Sequence, residues 1–286
     1  MFKGLFYLSL ALIFLAGTWT GARLGSAPQV EYWTDDRVDI YELSGENLED
    51  ADSVVALVGS QYVRDNGNGT STLLAQKFGD AYNLCPSERF QDQASVSFCS
   101  GVLVAPDIIA TAAHCLTGEN LANIRFVFGY RMNDAHTAHT VFPNSEIYQG
   151  IEVIAWQQDA TGSDWALIRL DRSVVNHRIA HVRESGKIKD GQAVHAIGHP
   201  MGLPAKFAAG FLEENQFRAF FNADFVTNSG NSGSPVFNST THEVEGILVR
   251  GRDDEFVKQG DCWVSRGKGG ASTRTTEFVR FIAWLQ

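Results

Sequence analysis

Short apolar runs separated by turns, with no long helical periodicity until the last dozen residues, leave this chain few folds. Residues 53–58 (Ser-Val-Val-Ala-Leu-Val) give the first convincing strand, and the polar stretch 65–71 (Asp-Asn-Gly-Asn-Gly-Thr-Ser) reads as an exposed turn. Two short apolar stretches follow within 98–116, divided by Ala105, Pro106 and Asp107. Ile124, Phe126 and Phe128 alternate in strand fashion, Ile151, Val153 and Ile154 lie in a second β-like stretch, and further strands are expected at 164–170, 193–198, 217–225 and 244–249. Only in 275–285 do Phe278, Phe281, Ile282 and Leu285 fall at helical spacings of three and four. Many short strands and one terminal helix argue for an all-β barrel architecture.

The chain has 286 residues, 44% of them hydrophobic, enough for a sizeable core in one large β domain or two small ones. A formal net charge of -10 argues against nucleic acid as a partner, and no basic patch suits an anionic membrane. Residues 1–22 carry Lys3, an apolar run from Leu5 to Ala16 and small or polar residues to Ala22, the pattern of a secretory signal peptide. Its apolar core is shorter than the roughly 20 residues that span a bilayer. After its removal the chain is expected to be free of the membrane, secreted or periplasmic, and monomeric. Residues 23–52 are acidic: Glu31, Asp35, Asp36, Asp39, Glu42, Glu46, Glu49, Asp50 and Asp52 stand against Arg37 alone after Arg23. Such a run reads as a solvated extension, either a propeptide or an arm lying on the domain that fills 53–286.

Four cysteines in an exported chain fit two disulfides, with three connectivities open. No spacing suits a zinc site; His136 and His139, three apart in a polar stretch, come nearest and read as solvent-exposed. No calcium loop is recognisable, so neither metal nor organic cofactor is expected. Asn68-Gly69-Thr70 and Asn238-Ser239-Thr240 match glycosylation acceptors.

The chemistry gathers at residues 228–235, Asn-Ser-Gly-Asn-Ser-Gly-Ser-Pro. Gly230 and Gly233 can take backbone angles closed to other residues and so bring bare main chain to a ligand, with Ser232 between them. A serine hydroxyl is a poor nucleophile at neutral pH and needs a base for its proton and N–H donors for the oxyanion formed on attack. The sequence supplies a histidine at Thr111-Ala112-Ala113-His114-Cys115 and an acid at Asp164-Trp165-Ala166-Leu167-Ile168. Asp159, in a turn, and Asp171, beside Arg172, are competing acids with surface roles; His195 and His199 flank an apolar turn and read as structural.

These three motifs, in the order His, Asp, Ser, resemble the chymotrypsin-like serine proteases, and the spelling Gly-Asn-Ser-Gly-Ser-Pro is similar to their bacterial glutamyl-endopeptidase branch. The resemblance implies two six-stranded antiparallel β-barrels over about 53–175 and 190–270, a terminal helix at about 275–285, and a site in the cleft between the barrels. It implies Ser232 as nucleophile, His114 as general base, Asp164 as the group orienting the imidazole, and the N–H groups of Gly230 and Ser232 as the oxyanion hole. It also implies that Cys99 is bridged to Cys115, which leaves Cys85 with Cys262. The implied partner is a protein or peptide substrate.

Two departures from that family matter. Many animal members carry an aspartate before the nucleophile to pair with a newly released N-terminus, and Asn231 has no charge for that pair. Glutamate-specific relatives carry a threonine or serine five residues before the nucleophile and a histidine after Gly-Ile; Thr227 matches the first, but Gly246-Ile247 is followed by Leu248, with Arg250 two residues on. Two rival functions remain: a catalytically idle protease-fold binding protein, which would call for a blocked cleft since all three triad residues are kept, and an acyl-ester hydrolase of another fold, whose Gly-x-Ser-x-Gly elbow is missing.

Overall fold

The computed structural model describes residues 35–251 and 256–283, so the signal segment 1–22 and the first part of the acidic lead-in lie outside the described residues. Six antiparallel strands close a first barrel: β1 (Val54–Gly59), β2 (Cys99–Ala105), β3 (Ile108–Thr111), β4 (Ile124–Phe128), β5 (Ile147–Gln158) and β6 (Asp164–Leu170), in the order β5-β6-β3-β2-β1-β4. Pairing of Ile147 with Val127 closes the ring. A second barrel follows from β7 (Ala193–Gly198), β8 (Lys206–Glu214), β9 (Phe220–Ala223), β10 (Pro235–Asn238), β11 (Val244–Gly251) and β12 (Gly270–Arg274). Its order is β8-β7-β10-β11-β12-β9, and β8 and β9 pair to close it. The expected pair of six-stranded antiparallel barrels is therefore present.

β-Branched and aromatic side chains fill both interiors, as the alternating pattern requires. Val194, Ala196, Leu212, Phe221, Val236 and Leu248 form the core of the second barrel. The larger core starts in the first barrel with Val102, Ile109, Phe126 and Leu167 and runs on through Ile197, Phe237 and Ile247 of the second. The two barrels thus share apolar packing, and side chains placed at their seam are held from both sides.

The terminal helix is shorter than the periodicity of 275–285 implies. Thr275–Glu277 form a 3₁₀ turn and the α-helix covers Val279–Ala283. Phe278 and Phe281 pack against Trp165 with ring centroids 5.6 and 5.4 Å apart. Because successive strand residues face opposite ways, the packing that buries Trp165 under this helix turns Asp164 the other way.

Within residues 35–52, Asp36, Glu42, Glu46 and Glu49 are exposed, as a solvated run would have them, but other parts of the segment pack on the domain. Val38–Asp39 adds a short strand to β8, and Glu46–Asp52 is a helix. Asp39 and Asp50 are buried. Their charges are met by distant partners: Lys206 Nζ lies 2.5 Å from Asp39, and Asp50 contacts His195 Nε2 at 3.2 Å and His242 Nδ1 at 2.5 Å. Asp52 accepts from His177 at 2.9 Å, and that ring also contacts Glu146 at 2.7 Å.

Candidate active site

His114 sits in a 3₁₀ turn, Ala113–Leu116, that follows directly from β3. Ala112 and Ala113 are buried, and side chains this small let the turn lie against the barrel wall. The Cys99–Cys115 disulfide fastens the turn to β2. Cys85–Cys262 is the second bridge, so both pairings implied by the resemblance are present. The Cys99, His114 and Cys115 cluster is no metal site, because both sulfurs are spent in the disulfide.

Asp164 is buried at the head of β6 and grips His114 twice. Its Oδ2 lies 2.7 Å from His114 Nδ1, and its Oδ1 accepts the His114 backbone N–H at 3.1 Å. With a carboxylate facing it, Nδ1 is the donor of this pair. Neither competing acid takes part. Asp159 turns to Thr161 and Gln157, which pull its carboxyl down to about 2, and Asp171 accepts from the Gln149 N–H and from Arg172.

Ser232 is half-buried on the loop between β9 and β10. The loop is held against the first barrel by three contacts. Ser100 N–H donates to the Ser232 carbonyl at 2.8 Å, Ser100 Oγ donates to the Gly230 carbonyl at 2.9 Å, and Cys115 Sγ lies 3.7 Å from the Ser232 carbonyl oxygen. The residue after His114 therefore touches the backbone of Ser232. Gly233 has φ +89°, and a methyl group there would lie 1.9 Å from the Ser100 carbonyl oxygen. Gly230, with φ +87°, would press a methyl to 2.5 Å from the His199 carbonyl oxygen. Only glycine fits either place. Among the described residues, the N–H groups of Gly230 and Ser232 meet no acceptor.

Asn231 needs no charged partner: its Nδ2 donates to Thr227 Oγ1 at 3.0 Å and its Oδ1 accepts from Ser234 Oγ at 3.4 Å. Thr227 and Leu248 are brought together, since a methyl built on Gly270 would lie 2.5 Å from Leu248 Cδ1 and 3.3 Å from Thr227 Cγ2. The Arg250 carbonyl oxygen lies at the same place, 3.1 Å from that methyl, but its side chain turns away. Its exposed guanidinium rests 5.2 Å from the Phe220 ring centre and 3.5 Å from the Gly162 carbonyl.

His195 and His199 are structural, as the sequence suggests. Both are fully buried, and His199 Nδ1–H donates to the Leu203 carbonyl at 3.0 Å. His136 is exposed, whereas His139 stacks on Phe142 at 4.3 Å and is half-buried. Ser100, which bonds the loop carrying Ser232, and Thr111, whose hydroxyl donates to the Ser100 carbonyl, are not assigned this part by the sequence; small polar side chains within an apolar strand pair are the signal they give. Among the described residues no helix is long and apolar enough to cross a membrane.

Residues 99–247, just over half of the chain, match the trypsin-like peptidase domain family. A probable periplasmic serine endoprotease, DegP-like, from Halomonas elongata is 25% identical over 193 residues, and one from a Marinomonas species is 35% identical over 92. These alignments take in 65% and 30% of this chain but only 35% and 19% of the relatives' own lengths. Among solved structures, the serine endoprotease of Yersinia pestis is similar at TM-score 0.52 and 16% identity, covering 85% of this chain and 67% of the other. The VesB protease of Vibrio cholerae is similar at TM-score 0.54 and 14% identity, covering 87% and 66%. At such identities the likeness is one of fold.

Proposed function

The chain belongs to the trypsin-like peptidase family and is a serine protease, and from that premise we propose that it is an exported endopeptidase working through a His114–Asp164–Ser232 triad. The observation that carries this is the double grip of Asp164 on His114, on the same barrel to which the loop of Ser232 is clamped.

Ser232 Oγ attacks the carbonyl carbon of the scissile bond as its proton passes to His114 Nε2. Asp164 holds the ring in the Nδ1–H tautomer and stabilises the imidazolium that forms. The N–H groups of Gly230 and Ser232 meet the negative oxygen; loss of one such donor costs about 3 kcal/mol of transition-state stabilisation. His114 then returns its proton to the leaving amine, leaving Ser232 acylated. Water, deprotonated by the same ring, releases the acid and restores the hydroxyl.

For the residue on the acyl side of the cut, Thr227 and Leu248 are buried, Leu248 in the core of the second barrel, and neither carries a charge to meet a substrate carboxylate. The Arg250 guanidinium is turned to Phe220, so glutamate preference lacks the anchor that a histidine at position 248 would give. The idle-binder reading needs a blocked site. No hydrogen bond runs from described residues 35–52 to His114, Asp164 or Ser232. Export follows from the signal-like residues 1–22 and agrees with relatives described as periplasmic.

The test is digestion of a diverse peptide library by wild type beside Ser232→Ala, each cut located by mass spectrometry. Cuts that vanish in the variant, with no preponderance after glutamate, are expected. Equal cutting by both proteins would refute the triad, and a preponderance of cuts after glutamate would refute the specificity.

A further inference from the structure

Arg37 is buried yet takes no part in the triad, and it reaches the loop that carries Gly230 and Ser232. Its Nη1 donates to Asn228 Oδ1 at 3.0 Å across 191 residues of sequence. The rest of its guanidinium is fixed by Asp35: Nε donates to Oδ1 at 2.8 Å and Nη2 to Oδ2 at 2.7 Å. Burial alone would raise the Asp35 carboxyl, but the hydrogen bonds and charge of Arg37 outweigh it and hold the group below its ordinary value. Two residues on, Asp39 is gripped by Lys206 and by Gln93 Nε2, at 2.5 and 2.9 Å, while Val38 and Asp39 pair with Phe207 and Lys206. Arg37 is thus a charged donor set in a rigid frame.

Asn228 is the hinge on which the loop hangs. Its carbonyl accepts the Asn231 N–H at 3.2 Å, closing the turn that contains Gly230 and leads into Ser232. Its Nδ2 donates to Ser265 Oγ at 3.3 Å, and the Ser265 N–H donates to Glu88. With Arg37 on one side and Ser265 on the other, the amide plane of Asn228 is fixed, and with it the turn from which both oxyanion donors point. Without Arg37, Asn228 Oδ1 would be buried with no other donor among the described residues, a state that drives such a group to reorient.

We propose that Arg37 is a positioning residue for the oxyanion donors, acting through Asn228, and that residues 35–39 are a retained part of the working enzyme. The inference rests on the triad reading. It accounts for an uncharged residue at Asn231: the charge that orders this loop comes from within the chain, and no newly released N-terminus has to be inserted.

The experiment compares full-length wild type, Arg37→Met, Asn228→Ala, the double variant and Ser232→Ala. Active sites are titrated with a fluorophosphonate and peptide hydrolysis is expressed per titrated site. Arg37→Met should still titrate to one site per chain, with KM nearly unchanged and kcat down about ten- to a hundredfold, the size expected for losing a charge-assisted hydrogen bond. Asn228→Ala should match it, and the double variant should be no worse than the worse single. A purely structural role would lower the titrated fraction and leave kcat per site intact; that result, or multiplying losses in the double variant, overturns the inference. If Arg37→Met does not fold, Asn228→Ala decides alone, and wild-type kcat overturns the inference. Turnover by Ser232→Ala would instead bring down the triad reading beneath it.

Discussion

The backbone N–H of Asp164, on the first barrel, donates to Thr273 Oγ1, on the second, at 3.0 Å. The acid that orients His114 is therefore held by the opposite half of the molecule, at the seam where the two barrels share a core. Thr273 is completely buried on β12 between β9 and β11, so it has little freedom to follow Asp164 if the barrels shift. Thr273→Val keeps the shape and removes the acceptor. It should cost about 1–2 kcal/mol in urea unfolding and lower kcat with little change in KM, whereas Thr273→Ser should retain both.

Asp164 and Asp171 stand at the two ends of the same strand pairing and should behave oppositely. Asp164→Asn leaves the geometry but permits the wrong tautomer of His114, and kcat should fall by about 10⁴-fold. Asp171→Asn removes only an exposed contact to Gln149 and Arg172, and turnover should match wild type. Peptide hydrolysis by the two variants at neutral pH checks the pair.

The parts of this molecule that were legible in the sequence are those built from local signals. β6 begins at Asp164 because an apolar strand follows it immediately, and Gly230 and Gly233 announce positive φ because no other residue tolerates their contacts. The acidic segment misled for the opposite reason. Asp39 and Asp50 look solvated in a charge run, yet their partners Lys206, His195 and His242 lie more than 140 residues away, and nothing local reveals them. The Arg37–Asn228 contact was hidden in the same way. Arg250 could be placed near the site but not aimed, since its direction is set by packing on Phe220.

His199 gives the fold an acid limit. Burial pushes its pKa down to about 4 from the ordinary 6.5, the Leu203 carbonyl only partly opposing this. A folded state that resists protonation binds fewer protons than the unfolded chain between those values, so this contribution is whole above pH 6.5 and is lost as pH falls toward 4. His177 acts in the opposite sense. Although burial opposes it, Asp52 and Glu146 raise its pKa, so its stabilisation is whole below pH 6.5 and fades as pH rises through the folded value. Urea midpoints between pH 4 and 7.5 should show a shallower acid fall in His199→Asn than in wild type; identical slopes would assign the fall to other groups.

The two disulfides should separate stability from rate. Cys85–Cys262 closes 177 residues and Cys99–Cys115 only 16, and loop entropy puts their stabilisation at about 5 and about 3 kcal/mol. Their positions reverse that order for catalysis. Cys115 adjoins His114 and touches the Ser232 carbonyl, whereas Cys85 and Cys262 tether the hairpin of Phe256–Gln259 and Cys262–Ser265 to the loop that follows the short helix Phe78–Tyr82. Replacing Cys85 and Cys262 with alanine should therefore cost more in urea unfolding but lower kcat per titrated site less, because pairing of Cys262–Ser265 with Phe256–Gln259 still holds Ser265 against Asn228. Replacing Cys99 and Cys115 should cost less stability but lower kcat, because the turn carrying His114 loses its fastening to β2. Unfolding curves and titrated kcat on both double variants decide it, and equal losses of kcat would show that the His114 turn is held by Asp164 alone.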